Sequence, residues 1–262
     1  MNARRLVARL FALALLALLA AGCATTQVQE QRRFFWPPLP ERPRIEWLKA
    51  YYSQLDFPKT GFSKVMAGIA GDEEPITFMK PLDIKSDGKG KVYVTDAGTQ
   101  GVFVYDLVNH DVHVFARENA PGMFKQIISV ALDGAGNVYI SDAEKNQILV
   151  FTADEKPLRG IDLSKHVARA GAIAIDPATN RLYVADTKGH KIAVCGLDGS
   201  LQFKIGVRGD VDGAFNFPID MAVNSKGELV VADAMNPQRI GRRRRAVPST
   251  MIASTDWLGA TL

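Results

Sequence analysis

Four aspartates recur at one place in a repeating pattern: Asp96, Asp142, Asp186 and Asp233, each closing a run of the Val-Tyr-Val-Thr type. Carboxylates at fixed spacing can serve as general acids and bases or as ligands for hard cations. A catalytic group is needed once per site, whereas these occur once per repeat. A short carboxylate at the end of a strand accepts backbone N–H groups of the following loop, as in an Asx-turn, and that architectural role is read for all four. The four histidines, His110, His113, His166 and His190, fall in connections or outer strands and are read as surface residues. There is no Gly-x-Ser-x-Gly, no His-Glu-x-x-His and no phosphate-binding loop, so nucleophilic, zinc-protease and nucleotide chemistry have no motif to rest on.

The elements that hold these residues repeat with them. Pro81-Leu82-Asp83-Ile84 leads to Val92-Tyr93-Val94-Thr95-Asp96, and Ile128-Ser129-Val130-Ala131-Leu132 to Val138-Tyr139-Ile140-Ser141-Asp142. Ala172-Ile173-Ala174-Ile175 leads to Leu182-Tyr183-Val184-Ala185-Asp186, and Pro218-Ile219-Asp220-Met221-Ala222-Val223 to Leu229-Val230-Val231-Ala232-Asp233. The terminal aspartates at 96, 142, 186 and 233 are separated by 46, 44 and 47 residues. Alternation and β-branched content predict strands, with Gly-containing turns between the first two of each unit. Val102–Tyr105, Ile148–Phe151 and Ile192–Val194 supply third strands, and Val112–Phe115 and Leu201–Ile205 fourth ones. A period of about 40–50 residues with four short antiparallel strands is that of propeller blades, which bury their faces by stacking on one another. The expected fold is therefore all-β, with four recognisable blades. In such a fold Asp83, Ser129 and Asp220 line the central channel, but they form no evident ligand set.

These units resemble the NHL repeat. Phe217-Pro218-Ile219-Asp220-Met221-Ala222-Val223, Leu182-Tyr183-Val184-Ala185-Asp186-Thr187 and Asn236…Arg239-Ile240 carry the resemblance, which spans residues 78–240. It implies an NHL-type β-propeller. Such propellers usually have six blades, so four imply an incomplete one.

The N-terminus resembles the signal of bacterial lipoproteins. Arg4, Arg5 and Arg9 precede an uncharged run from Leu10 to Ala21, too short to span a bilayer of about 30 Å. Leu19-Ala20-Ala21-Gly22-Cys23 then matches the lipobox, with Ala20 where leucine is usual. The resemblance implies cleavage after residue 22, lipid on Cys23, and a membrane-anchored protein facing the periplasm or exterior. Residues 23–43, rich in Gln and Pro, read as a tether. Residues 44–77 read as one strand over 44–57 and a short amphipathic helix over Thr60–Asp72, built on Phe62, Val65, Met66 and Ile69. With Cys23 lipidated, Cys195 has no partner and reads as an inert thiol in an apolar strand. No Cys-x-x-Cys-His is present, so no covalent haem is implied.

Residues 241–262 break the repeat. Arg242 to Arg245 cannot fill an inner strand unpaired. They read either as out-of-frame sequence from a truncated gene or as a basic tail for acidic lipid or a polyanion, and the abrupt end of the repeat favours the first. The formal net charge of +4 comes from the ends of the chain; without the signal's arginines and the tail the remainder is slightly acidic, so nucleic acid is not an expected partner. No cofactor is expected. Two functions compete: a non-enzymatic scaffold that binds another envelope protein or a polymer, and a divalent-metal lactonase- or lyase-like propeller enzyme.

Overall fold

A computed structural model describes residues 34–37, 40–58, 74–116, 123–211, 213–235 and 249–253. The chain divides into two units, residues 1–50 and 51–262.

In the first unit, β1 (Phe34–Trp36) pairs antiparallel with β2 (Ile45–Trp47), placing Phe34 opposite Trp47 and Trp36 opposite Ile45. This corrects two expectations. The tether contains a strand, because three consecutive aromatics suit a pleated surface better than a solvated spacer. The single strand expected over 44–57 is shorter, and residues 54–56 form a 3-10 turn capped by Ser53. The helix expected over Thr60–Asp72 lies outside the described residues.

The second unit carries four antiparallel sheets. The first comprises β3 (Pro81–Ser86), β4 (Lys91–Asp96), β5 (Gly101–Asp106) and β6 (Asp111–Phe115). The second comprises β7 (Ile127–Leu132), β8 (Val138–Asp142), β9 (Gln147–Phe151) and β10 (Pro157–Asp162). In the third are β11 (Ala170–Asp176), β12 (Arg181–Asp186), β13 (Lys191–Gly196) and β14 (Leu201–Ile205). The fourth holds β15 (Pro218–Val223), β16 (Leu229–Asp233) and β17 (Ser249–Ala253). Strand β17 corrects the reading of residues 241–262 as lying wholly outside the repeat: Val231 pairs with Met251 and Val230 with Ile252. Ser-Thr-Met-Ile-Ala carries no charge and fits a pleat, whereas the arginine run lies outside the described residues.

Each sheet has the same local construction. The first strand is bulged near its start, between Pro81 and Asp83, Ile127 and Val130, Ala170 and Ile173, and Pro218 and Asp220. The first hairpin turns through a left-handed residue, Gly136 (φ 85°) in the second sheet and Asn180 (φ 53°) in the third. Asparagine is among the few side chains that tolerate this conformation.

The sheets bury their faces against one another. Tyr93, Val102 and Val104 pack on Val130, Val138, Ile140 and Phe151. Tyr139, Ile148 and Val150 pack on Ile173, Leu182, Val184 and Cys195. Tyr183, Ile192 and Val194 pack with Phe215 on Met221, Leu229 and Val231. Each buried side chain of this size contributes about 1.5–3 kcal/mol, so the sheets are held chiefly by their neighbours.

Candidate functional site

The recurrent aspartates end the second strand of each sheet, and their carboxylates do more than close the following turn. Asp96 accepts the N–H groups of Gly98 and Thr99 ahead of it and of Met79 and Lys80, 16–17 residues behind it, at 2.7–2.9 Å. Asp142 does the same with Glu144, Lys145, Lys125 and Gln126. Asp186 takes Gly189, Ala168 and Arg169, and Asp233 takes Met235 and Asn216. One carboxylate thus ties the entry to the first strand to the exit from the second. Burial pushes the Asp96 carboxyl up, but the N–H groups of Thr99, Lys80 and Met79 outweigh it and hold the carboxyl below the ordinary aspartate value.

Four residues after the aspartate the backbone turns left-handed, at Gln100, Asn146 and His190. Gln100 Oε1 receives the N–H of Ile127, and Asn146 Oδ1 that of Ala170, so each amide side chain reaches the next sheet. At the fourth sheet the position equivalent to Ile127 and Ala170 is Pro218, and proline has no N–H to give to His190. His190 is accordingly buried with Nδ1 unpartnered and its ring edge-on to Phe217. This corrects its assignment to the surface. The periodic position, not the residue type, is what buries it.

Asp83, Ser129 and Asp220 lie at equivalent positions of the first strands. Asp83 Oδ2 accepts the Ser129 hydroxyl and the Val130 N–H, and Ser129 Oγ in turn accepts the Ile173 N–H at 3.1 Å. Thr95 donates to the Ile128 carbonyl and Ser141 to that of Gly171. These polar groups stitch sheets one to three together along their inner strands. Alanines 172 and 185 occupy the corresponding places in the third sheet, so the seam to the fourth sheet is apolar. Among the described residues Asp220 accepts its neighbour, the Met221 N–H. A channel pocket of about 180 Å³ is lined by Lys85, Ala131, Ala174 and Ala222, one from each first strand. Among the described residues no three His, Cys, Asp or Glu side chains are grouped to hold a metal ion. Purified protein is expected to contain no stoichiometric divalent metal by elemental analysis. Metal at one per chain, lost in Asp83→Ala or Asp220→Ala, would reverse that expectation.

His113 and Glu155 form a cluster invisible in the sequence, 42 residues apart. His113 Nε2 lies 2.7 Å from Glu155 Oε2 and Nδ1 lies 3.1 Å from Asp111, while Lys91 Nζ lies 3.5 Å from Glu155 Oε1. The hydrogen bond to Glu155 raises the His113 pKa against the opposing effect of burial. Burial pushes Glu155 up, but the bond to His113 and the charges of His113 and Lys91 bring it below the ordinary value. The histidine's contribution is complete below its unfolded pKa and is lost as pH rises through the raised folded one. The glutamate's is complete above its unfolded pKa and is lost as pH falls through the lowered one. The melting difference between wild type and His113→Gln should therefore peak near pH 5–6, between the unfolded carboxylate and imidazole values, and shrink by pH 9. Solvent screening at this half-exposed site limits it to about 1 kcal/mol. A pH-independent difference would contradict this account.

His110 stacks on Phe57 in a left-handed turn, and Cys195 is fully buried, its thiol pushed up to about 11 by burial. Such a thiol is unreactive at neutral pH.

A groove of about 490 Å³ lies on the first sheet, lined by Tyr51, Phe78, Leu82, Ile84, Val94 and Tyr105 among others. Ile84 is 60% exposed, whereas its equivalents Val130, Ile173 and Met221 are 0%, 0% and 2% exposed. The Tyr105 hydroxyl is buried without a hydrogen-bond partner, and burial, with the charge of Asp56, pushes its pKa up to about 12. Sequence reasoning missed this surface, although the alternation in Leu82-Asp83-Ile84 marks two apolar residues on one face.

No family model and no curated protein matches the chain. Solved structures similar to it are β-propellers. A streptogramin B lyase has a TM-score of 0.50 at 15% identity, over 62% of this chain and 51% of that one. The WD40 repeats of RRP9 have a TM-score of 0.49 at 15% identity, over 66% and 51%, and a chain of a nidogen/laminin complex 0.47 at 19%, over 59% and 57%. The match spans about half of the lyase and of the WD40 chain. The shared property is the all-β propeller fold; in this chain it comprises three four-stranded antiparallel sheets and one of three strands, not closed into a ring among the described residues.

Proposed function

We propose that this chain is an NHL-repeat lipoprotein of the bacterial cell envelope, anchored through lipid on Cys23, that serves as a non-enzymatic binding or assembly scaffold for another envelope protein or a polymer. The observation that carries the reading is the uncovered first-sheet groove. It presents Leu82 and Ile84 to solvent, Ile84 at a position whose equivalents Val130, Ile173 and Met221 are buried against neighbouring sheets, and it holds one hydroxyl, on Tyr105, in need of a partner. Exposed apolar grooves with few polar groups mark surfaces that bind. The channel-facing Asp83 and Ser129 are engaged in hydrogen bonds between sheets, which supports an architectural role for them.

Ile84→Glu tests the proposal. The side chain is already exposed, so melting should change by no more than about 0.5 kcal/mol. The variant should lose the larger complex that wild type forms in gently solubilised envelopes. Identical migration of the two proteins would count against a scaffold role for this face.

A further inference from the structure

The residues of β1 and β2 sort by register into two unlike faces. Residues paired across an antiparallel ladder share a side, so Phe34, Trp36, Ile45 and Trp47 all project from one face, while Phe35 and Glu46 project from the other. The four are 59%, 66%, 63% and 54% exposed, and Phe34 and Trp47 meet edge to face at 6.0 Å. A two-stranded hairpin with a solvated apolar face is marginal in water on its own. The face must therefore rest on something.

We propose that this hairpin is a membrane-interface anchor whose Phe34–Trp36–Ile45–Trp47 face inserts into an anionic lipid surface. Indole rings combine an apolar body with one N–H donor and partition to the headgroup level of a bilayer, where both parts are satisfied. The flanking charges suit such a surface: Arg42, Arg44 and Lys49 are exposed around the strands, and residues 24–50 hold five basic side chains against Glu30, Glu41 and Glu46. Basic residues at a negatively charged leaflet each contribute about 1 kcal/mol. The inference rests on the lipid-anchored reading in one respect. Phe34 lies eleven residues after Cys23, a reach of at most about 40 Å, so a lipid on Cys23 holds the hairpin at the bilayer. A second membrane contact beside the lipid adds to the attachment and holds the hairpin at the interface.

The test uses the full chain with Trp257→Phe, which leaves Trp36 and Trp47 as its only tryptophans. The protein is recovered from cells, from membranes in detergent if lipidated and from the soluble fraction if not, and mixed with vesicles containing phosphatidylglycerol. The expected result is a shift of tryptophan emission to shorter wavelength and quenching by lipids brominated on their acyl chains. Arg42→Ala with Arg44→Ala should weaken binding to anionic vesicles by about thirtyfold and leave binding to neutral vesicles unchanged. Ile45→Glu should reduce the quenching while circular dichroism shows the propeller intact. Emission that stays water-like and open to iodide on the vesicles overturns the inference, as does emission already blue in solution and indifferent to lipid, which would mean that protein covers this face. Fatty-acid labelling of the same preparations separates the two readings. Labelled protein with unquenched tryptophans overturns the hairpin anchor alone, and unlabelled protein with quenched tryptophans supports it while removing the lipid on Cys23.

Discussion

Asp96→Ala is expected to destabilise the propeller by about 3–5 kcal/mol, enough to unfold much of it at physiological temperature. The Asp96 side chain is fully buried, and its two oxygens accept four backbone N–H groups, from Met79, Lys80, Gly98 and Thr99. Alanine leaves all four donors, in part-buried loops, without their shared acceptor. Hydrogen bonds to a charged group contribute about 1.5–3 kcal/mol each, and four that share one carboxylate do not add fully. A domain is stable by only about 5–15 kcal/mol in total. Asp96→Asn keeps one acceptor oxygen and should cost about half as much. Because the folded carboxyl titrates below its ordinary value, its contribution is present above the unfolded aspartate pKa and is lost as pH falls through the lowered one. The gap between wild type and Asp96→Ala should therefore narrow in acid, below about pH 4. Urea midpoints across pH measure this. A loss under about 1 kcal/mol at neutral pH would mean that the loops hold themselves.

Cys23→Ser is expected to abolish lipid attachment altogether. The Leu19-Ala20-Ala21-Gly22-Cys23 signal depends on the cysteine sulfur, which the hydroxyl of serine cannot replace as the lipidated nucleophile. Radiolabelled fatty acid should enter the wild-type protein and not the variant. The wild type should stay with membranes through a high-salt wash. Loss of the lipid's buried CH₂ groups, at about 0.8 kcal/mol each, exceeds what any surface substitution removes. A wild-type protein that takes up no label would withdraw the lipoprotein reading.

What the sequence disclosed follows from what repeats in it. The spacing of Asp96, Asp142, Asp186 and Asp233 exposed the blade period, because each unit must rebuild the same turn. Their contacts with the following loop were legible for the same reason. Their contacts with Met79, Lys125 and Asn216 were not, since those residues share no side-chain type and act through backbone alone. Strand β10 was hidden by Pro157 and Gly160 and by its place at the exposed outer edge, where alternation is not enforced. His113 and Glu155 meet only because two sheets stack, and nothing local announces it. The aromatic hairpin was obscured by the prolines around it, which read as a spacer until the register set four apolar residues on one side.

The central claim is that the open face of the first sheet is a docking face, and crosslinking in intact cells reads it most directly. A photoreactive amino acid at position 84 of the lipidated protein places the probe in the groove beside Leu82 and Tyr105. The same amino acid at Leu158, exposed on the outer strand β10, is the control. The account predicts a discrete adduct from position 84, none from position 158, and loss of the first when Leu82→Glu is added. No adduct at position 84, or the same faint set of products from both positions, would contradict it.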